Sequence, residues 1–155
     1  MPFSDQFLND ILSYVKRDAF KNLSNFPNEQ TAFSLALLRD GILNDILDDD
    51  ADDILYYAGK EIARQFFART LDDIQDFFAI AGWGDIEISS QKPDRENWTL
   101  TGEAIKIRNA AIEKPSFFLE AGFLAQDIQQ QTHRRTECSY QIEDKNKVIF
   151  TVYID

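Results

Sequence analysis

Few side chains here are of a kind that does chemistry unaided. The 155 residues hold one histidine, His133, and one cysteine, Cys138. His133 lies in QTHRR, a polar stretch leading out of a helix, which suits an exposed imidazole better than a catalytic base or metal ligand. No HExxH or CxxC spacing is present, so a transition-metal site would have to rely on carboxylates. Haem ligation through His133 lacks an apolar setting, because its neighbours are Thr132, Arg134 and Arg135. Cys138 alternates with Tyr140 and Ile142, which places it on a strand as a small buried hydrophobe. The competing reading, a reactive thiol, rests on the nearby cations Arg134 and Arg135.

The carboxylates give little more. Asp48–Asp53, DDDADD, has the density of a calcium loop but not its spacing, with Asp53 where glycine and Gly59 where glutamate would be needed. It reads as a solvated acidic turn whose last aspartates cap the next helix. Asp72-Asp73 reads as a solvated surface pair. Gly59-Lys60 lacks the upstream glycine and the following hydroxyl residue of a phosphate loop. Glu120, two residues before Gly122, is either an exposed helix carboxylate, the favoured reading, or a polar group facing a cavity. No nucleophile elbow or dinucleotide fingerprint appears. No residue set names a reaction, and no metal or cofactor is expected.

Composition narrows the partners. A net charge of −11 disfavours nucleic acid and anionic membrane surfaces. No apolar run approaches the ~20 residues needed to span a bilayer. A lone cysteine and a start without a basic leader suggest a reducing, cytoplasmic setting. Aromatic residues reach 13%, including 13 Phe, more than one apolar face per helix requires. The surplus implies a large core, a pocket or an interface.

The positioning elements follow from periodicity. Phe7, Leu8, Ile11, Leu12 and Val15 form a first helical face, and the Asn22–Asn28 loop makes residues 1–27 an extension from a single domain, 28–155. A second helix is expected over Asn28–Leu47, weakened at Gly41, and a third over Asp53–Phe67. A fourth starts at Thr70, in capping-box relation to Asp73, and ends at Gly82. The period then shifts from about 3.6 to 2. Ile86 and Ile88 mark one strand; Trp98 and Leu100, then Ile105 and Ile107 past a bulge at Gly102, mark a second. A helix over Ser116–Gln131 carries the stripe Phe118, Ala121, Leu124, Ala125 and Ile128, and its internal Gly122 would let another backbone or a ligand come close. Strands at Thr136–Ile142 and Lys147–Ile154 flank Asp144-Lys145-Asn146. The fold class is therefore α+β: N-terminal helices packed with a small antiparallel sheet, in the order helices, hairpin, helix, hairpin.

Three stretches, Asp53–Phe66 (DILYYAGKEIARQF), Phe77–Gly84 (FFAIAGWG) and Phe118–Ile128 (FLEAGFLAQDI), together resemble the YslB-like bacterial proteins over about residues 28–154. That family is similar to a superfamily of vinyl-reductase-like small-molecule-binding domains, haem-based nitric-oxide sensors and TRAPP vesicle-tethering subunits. The resemblance implies helices on an antiparallel sheet, with an apolar cavity between them for a ligand or a helix face for dimerisation. The AGFLAQ segment would match a GFLAG-like helix that carries nearby cysteines in the vinyl-reductase-like domains; here only Cys138 follows it. No catalytic residue carries over.

The function expected is thus a non-enzymatic domain binding a small apolar ligand in a pocket lined by Tyr57, Trp83, Phe118, Phe123 and Cys138. The alternative is a module that forms a homodimer through Leu38, Ile42 and Ile46, without a ligand. An enzyme would need Glu120 as a perturbed cleft carboxylate.

Overall fold

Two glycines, Gly59 and Gly122, bring two helix backbones into contact at the centre of the fold. The structure is a computed structural model that describes residues 35–112 and 114–155. The expected first helix, the Asn22–Asn28 loop and the start of the second helix lie outside the described residues.

The chain enters on helix α1, a π-helical stretch Leu37–Leu43 that continues as α-helix Asn44–Leu47. The weakness expected at Gly41 is thus a wider helical turn, not a break. The acidic turn opens with 3-10 geometry at Asp48–Asp50, and helix α2 spans Ala51–Gln65. Asp50 stands at its N-cap but makes no side-chain capping bond, so these aspartates favour the helix only through their charge. Helix α3, Leu71–Ile80, begins as expected: the Asp73 N–H donates to Thr70 Oγ1 at 3.1 Å. Gly82 follows it in a positive-φ conformation (φ 74°).

Strands β1 (Asp85–Lys92) and β2 (Arg95–Thr101) form the first hairpin. The strand expected to run on to Ile107 ends at Thr101. Gly102 adopts φ 117° and opens helix α4, Glu103–Ala111, which carries Ile105 inward. Ile105 and Ile107 fit period 2, but two residues cannot separate a strand from one turn of helix. Helix α5, Phe118–Thr132, precedes the hairpin β3 (Thr136–Asp144) and β4 (Lys147–Ile154). The four strands are antiparallel in the order β1-β2-β4-β3.

One sheet face carries Ile86, Trp98, Leu100, Val148, Phe150, Val152 and Cys138 into the core. Helix α5 lies in that core: every residue from Glu120 to Ile128 is buried. Helix α2 covers it from the far side. A Cβ on Gly122 would fall 2.0 Å from the Tyr56 carbonyl oxygen, and one on Gly59 would fall 2.0 Å from that of Leu119. The two helices therefore touch backbone to backbone, which only glycine permits. Gly122 plays the close-approach role its sequence position suggests, and its mate is Gly59.

Candidate functional site

Helix α5 is buried along most of its length, and it carries two carboxylates that are completely buried, Glu120 and Asp127. A buried carboxylate persists only with partners. Glu120 lies at 0% exposure, which overturns its reading as an exposed helix carboxylate. Arg39 from α1 holds it in a fork, Nη1 at 3.1 Å and Nη2 at 2.5 Å, and Arg108 from α4 adds a third bond at 3.2 Å. Arg108 also forks onto Asp40 at 2.7 and 2.8 Å, donates to the Ser116 carbonyl at 2.5 Å, and lies 4.3 Å over the Phe117 ring. Two guanidinium and two carboxylate groups thus cancel in charge, and paired forks meet the geometric demand of a buried network. Burial works against the Arg108 charge, but Asp40 and Glu120 outweigh it and hold its pKa above the ordinary arginine value. The set joins α1, α4 and α5 at one point. Its position, internal and already neutralised, marks it as a structural clasp.

The second carboxylate clasps a loop. Asp127 accepts from the Ala68 N–H and from Gln131 Nε2, both at 2.8 Å, and Gln131 donates to the Ala68 carbonyl at 2.8 Å. The turn between α2 and α3 is thereby fixed to α5. Burial pushes the Asp127 carboxyl up to about 8, against the lowering effect of these bonds. Asp73, expected to be solvated, is buried and raises it further.

The aromatic surplus has a definite place. Phe123 on α5 stacks on Phe77 at 4.6 Å and meets Phe78 and Trp83 edge-on at 5.8 and 5.7 Å. Trp83 also contacts Phe77 and Phe78, and Phe66 tilts against Phe77. The structure therefore brings together Trp83 and Phe123 of the expected pocket. Phe118 is half-buried and stands with Tyr140, 4.9 Å between rings, beside a different region. Tyr57 does not join either: it is 66% exposed on the outer side of α2, because α2 turns its Gly59 face to α5. Its neighbour Tyr56 reaches the sheet instead, donating to Glu137 and accepting the Cys138 N–H at 3.1 Å.

Cys138 is buried with the core, and burial with the adjacent Glu137 charge raises its thiol pKa well above the usual value. Arg134 does not activate it; that guanidinium binds the carbonyls of Asp155, Pro93 and Ile154. His133 is exposed, in left-handed conformation (φ 58°) at the end of α5. Among the described residues no cluster of three or more His, Cys, Asp or Glu could hold a metal ion. Among them too, no helix is long and apolar enough to cross a membrane.

Sequence reasoning missed the clasp. Its signal was an Arg39-Asp40 pair inside the apolar run of α1, and a glutamate inside an apolar helix. Leu38, Ile42 and Ile46, the expected interface, are 50%, 47% and 70% exposed on α1.

The architecture is shared with solved proteins. A vinyl-4-reductase family protein from Methanocaldococcus jannaschii is similar over 100% of this chain and 99% of its own, with a TM-score of 0.62 at 18% identity. The phenol-responsive sensory domain of the transcription activator PoxR, in its structure with phenol, is similar over 88% and 89%, with a TM-score of 0.55 at 11% identity. In sequence, the uncharacterized protein YslB of Bacillus subtilis (strain 168) is 34% identical over 128 residues, 82% of this chain and 86% of its own. Residues 32–153 match the family described as protein of unknown function DUF2507. With a match of that extent and YslB as a relative, the chain belongs to the DUF2507 family, and its α+β fold is that of the vinyl-4-reductase-like domains.

Proposed function

We propose that this chain is a non-enzymatic domain that binds a small apolar, ring-sized molecule between α5 and the sheet. The observation that carries the proposal is the cluster of Phe66, Phe77, Phe78, Trp83 and Phe123 at the meeting of α3, α5 and β1. Rings that meet edge-on and stacked offer a flat ligand the same contacts they give one another. Phe66 and Phe77 keep slight exposure whereas Phe78 and Phe123 have none, so the rim rings are the ones a ligand would displace. Trp83 stands at the rim as reporter. Cys138 belongs to the same core, and Phe118 with Tyr140 would close the far end of the helix. That a domain of similar fold is known with phenol supports the size and character of this ligand.

Phenol and a set of larger apolar aromatics, titrated while tryptophan emission and melting temperature are followed, test the reading. It expects saturable quenching that disappears in Trp83→Phe, since Trp98 would then be the only emitter, together with a rise in melting temperature. Emission and melting temperature unmoved by every probe would defeat it.

One observation favours a second reading. Leu37, Leu38, Ile42 and Ile46 expose large apolar side chains on a single short helix. Such a face suits a homodimer. Light scattering should then give twice the chain mass, reverting to one in Ile42→Asp/Ile46→Asp; one chain mass at high concentration rules it out.

A further inference from the structure

Strand β3 is an edge of the sheet; side chains cover the outward groups of its first half, and its register with β4 holds as far as Ile142 before it shifts towards Asp144. The Asp155 N–H donates to the Arg135 carbonyl, so the odd-numbered residues of β4 face β3. By the register, Glu137, Ser139 and Gln141 are then the hydrogen-bonded partners of β4, and Thr136, Cys138, Tyr140 and Ile142 turn their N–H and C=O outward. Side chains satisfy the first two: Gln129 Oε1 accepts the Thr136 N–H at 3.1 Å and Tyr56 Oη accepts that of Cys138. Among the described residues nothing pairs the N–H groups of Tyr140 and Ile142. An open edge of this kind is a template for one more strand.

That open half borders a cleft of about 570 Å³. Tyr140 and Ile142 line it together with the Lys114–Ser116 segment and with Asp48, Asp49 and Asp52 of the acidic turn. Asp48, Asp49 and Asp52 are exposed and outnumber the one cation, Lys114. Glu143 and Asp144 continue the negative charge along β3 itself. Pairing with a second copy would set these acidic residues against each other.

We infer that β3 accepts a basic, extended peptide segment as a fifth strand, pairing with Tyr140 and Ile142 while its cationic side chains face Asp48, Asp49 and Asp52. Backbone pairing provides the affinity and the aspartates select positive charge. The inference uses the backbone of Tyr140 and not its ring or the Phe77, Phe78, Trp83 and Phe123 cluster, so it stands apart from the apolar-ligand reading.

An Arg-Val alternating heptapeptide, acetylated and amidated, is the probe, with a Glu-Val version as control. Calorimetry should detect the basic peptide only, and the Asp48→Asn/Asp49→Asn/Asp52→Asn chain should bind it roughly tenfold or more weakly, as the loss of three exposed pairings implies. N-methylation of alternate peptide amides leaves charge and the protein's fold untouched and should abolish binding. Ile142→Pro, which removes one outward N–H at an edge position, should do likewise. Binding that survives N-methylation overturns the inference in favour of a diffuse acidic surface. No binding of the basic peptide overturns it outright. A dimer that Ile142→Pro dissociates would assign the edge to a second copy instead.

Discussion

Gly122→Ala tests the helix crossing that orders the core. In an exposed helix this change stabilises by about 1 kcal/mol, because alanine restricts the unfolded chain and favours helix. Here the new Cβ would meet the Tyr56 carbonyl oxygen at 2.0 Å, its carbon at 2.9 Å and the Lys60 nitrogen at 3.2 Å. All three are backbone atoms, so no side chain can swing aside. Helix α2 must lift from α5 by roughly 1 Å or more to reach ordinary contact, which opens gaps along a seam that includes Leu55, Gly59 and Ala63. Overpacking of a tight core costs about 1–3 kcal/mol, and a backbone clash belongs at the upper end. Less the propensity gain, the net loss is about 2 kcal/mol, or roughly 4–8 °C in melting temperature for a chain of this length. Gly41→Ala is the control, because among the described residues its Cβ would meet only Leu37 Cδ1, at 4.0 Å. Urea unfolding should show Gly122→Ala less stable and Gly41→Ala unchanged or more stable. Equal gains in both would refute the backbone contact.

Other expectations follow from the clasps. Glu120→Gln leaves Asp40 as the single carboxylate for two buried guanidiniums, with Arg39 facing a neutral amide, and should cost about 3–5 kcal/mol in urea unfolding; a loss under 1 kcal/mol would mean that the cluster is solvated. Asp127 titrates near 8 when folded and near 4 when unfolded, so the native state holds the extra proton between these values. Its contribution to stability is therefore complete below about pH 4 and is lost as pH rises towards 8; Asp127→Asn should flatten that fall, and a parallel pH profile would refute it. Thr70→Ala removes the acceptor of the Asp73 N–H and should cost about 1 kcal/mol in the same assay. Buried and high in pKa, Cys138 should resist a thiol reagent at pH 8 until denaturant is added; rapid labelling of the native chain would contradict its burial.

What could be read from the sequence depended on how local its cause was. The Thr70 cap, the helix end at Gly82 and three of the four strands each rest on residues within a few positions of one another and appear as expected, while the second strand stops at Thr101, short of its expected end. Gly122 was legible as a close approach because a glycine inside an apolar helix needs a reason. Its mate Gly59 was not, since that pairing crosses more than 60 residues. The same distance hid the clasp: Arg39, Arg108 and Glu120 look like separate surface charges until three helices converge. Ile105 and Ile107 misled because strand and helix differ only over longer runs. Tyr57 and Tyr56 are neighbours whose roles divide on the rotation of α2, which the Gly59 contact sets and composition does not reveal.

A small apolar molecule held between α5 and the sheet would be seen in mass spectra of the purified chain taken under native and denaturing conditions. The native spectrum should show added mass, from a co-purified ligand or from supplied phenol, that vanishes on denaturation and is reduced in Phe123→Ala. Native spectra that show only the bare chain mass or its multiples, with phenol and the larger aromatics present, would contradict it.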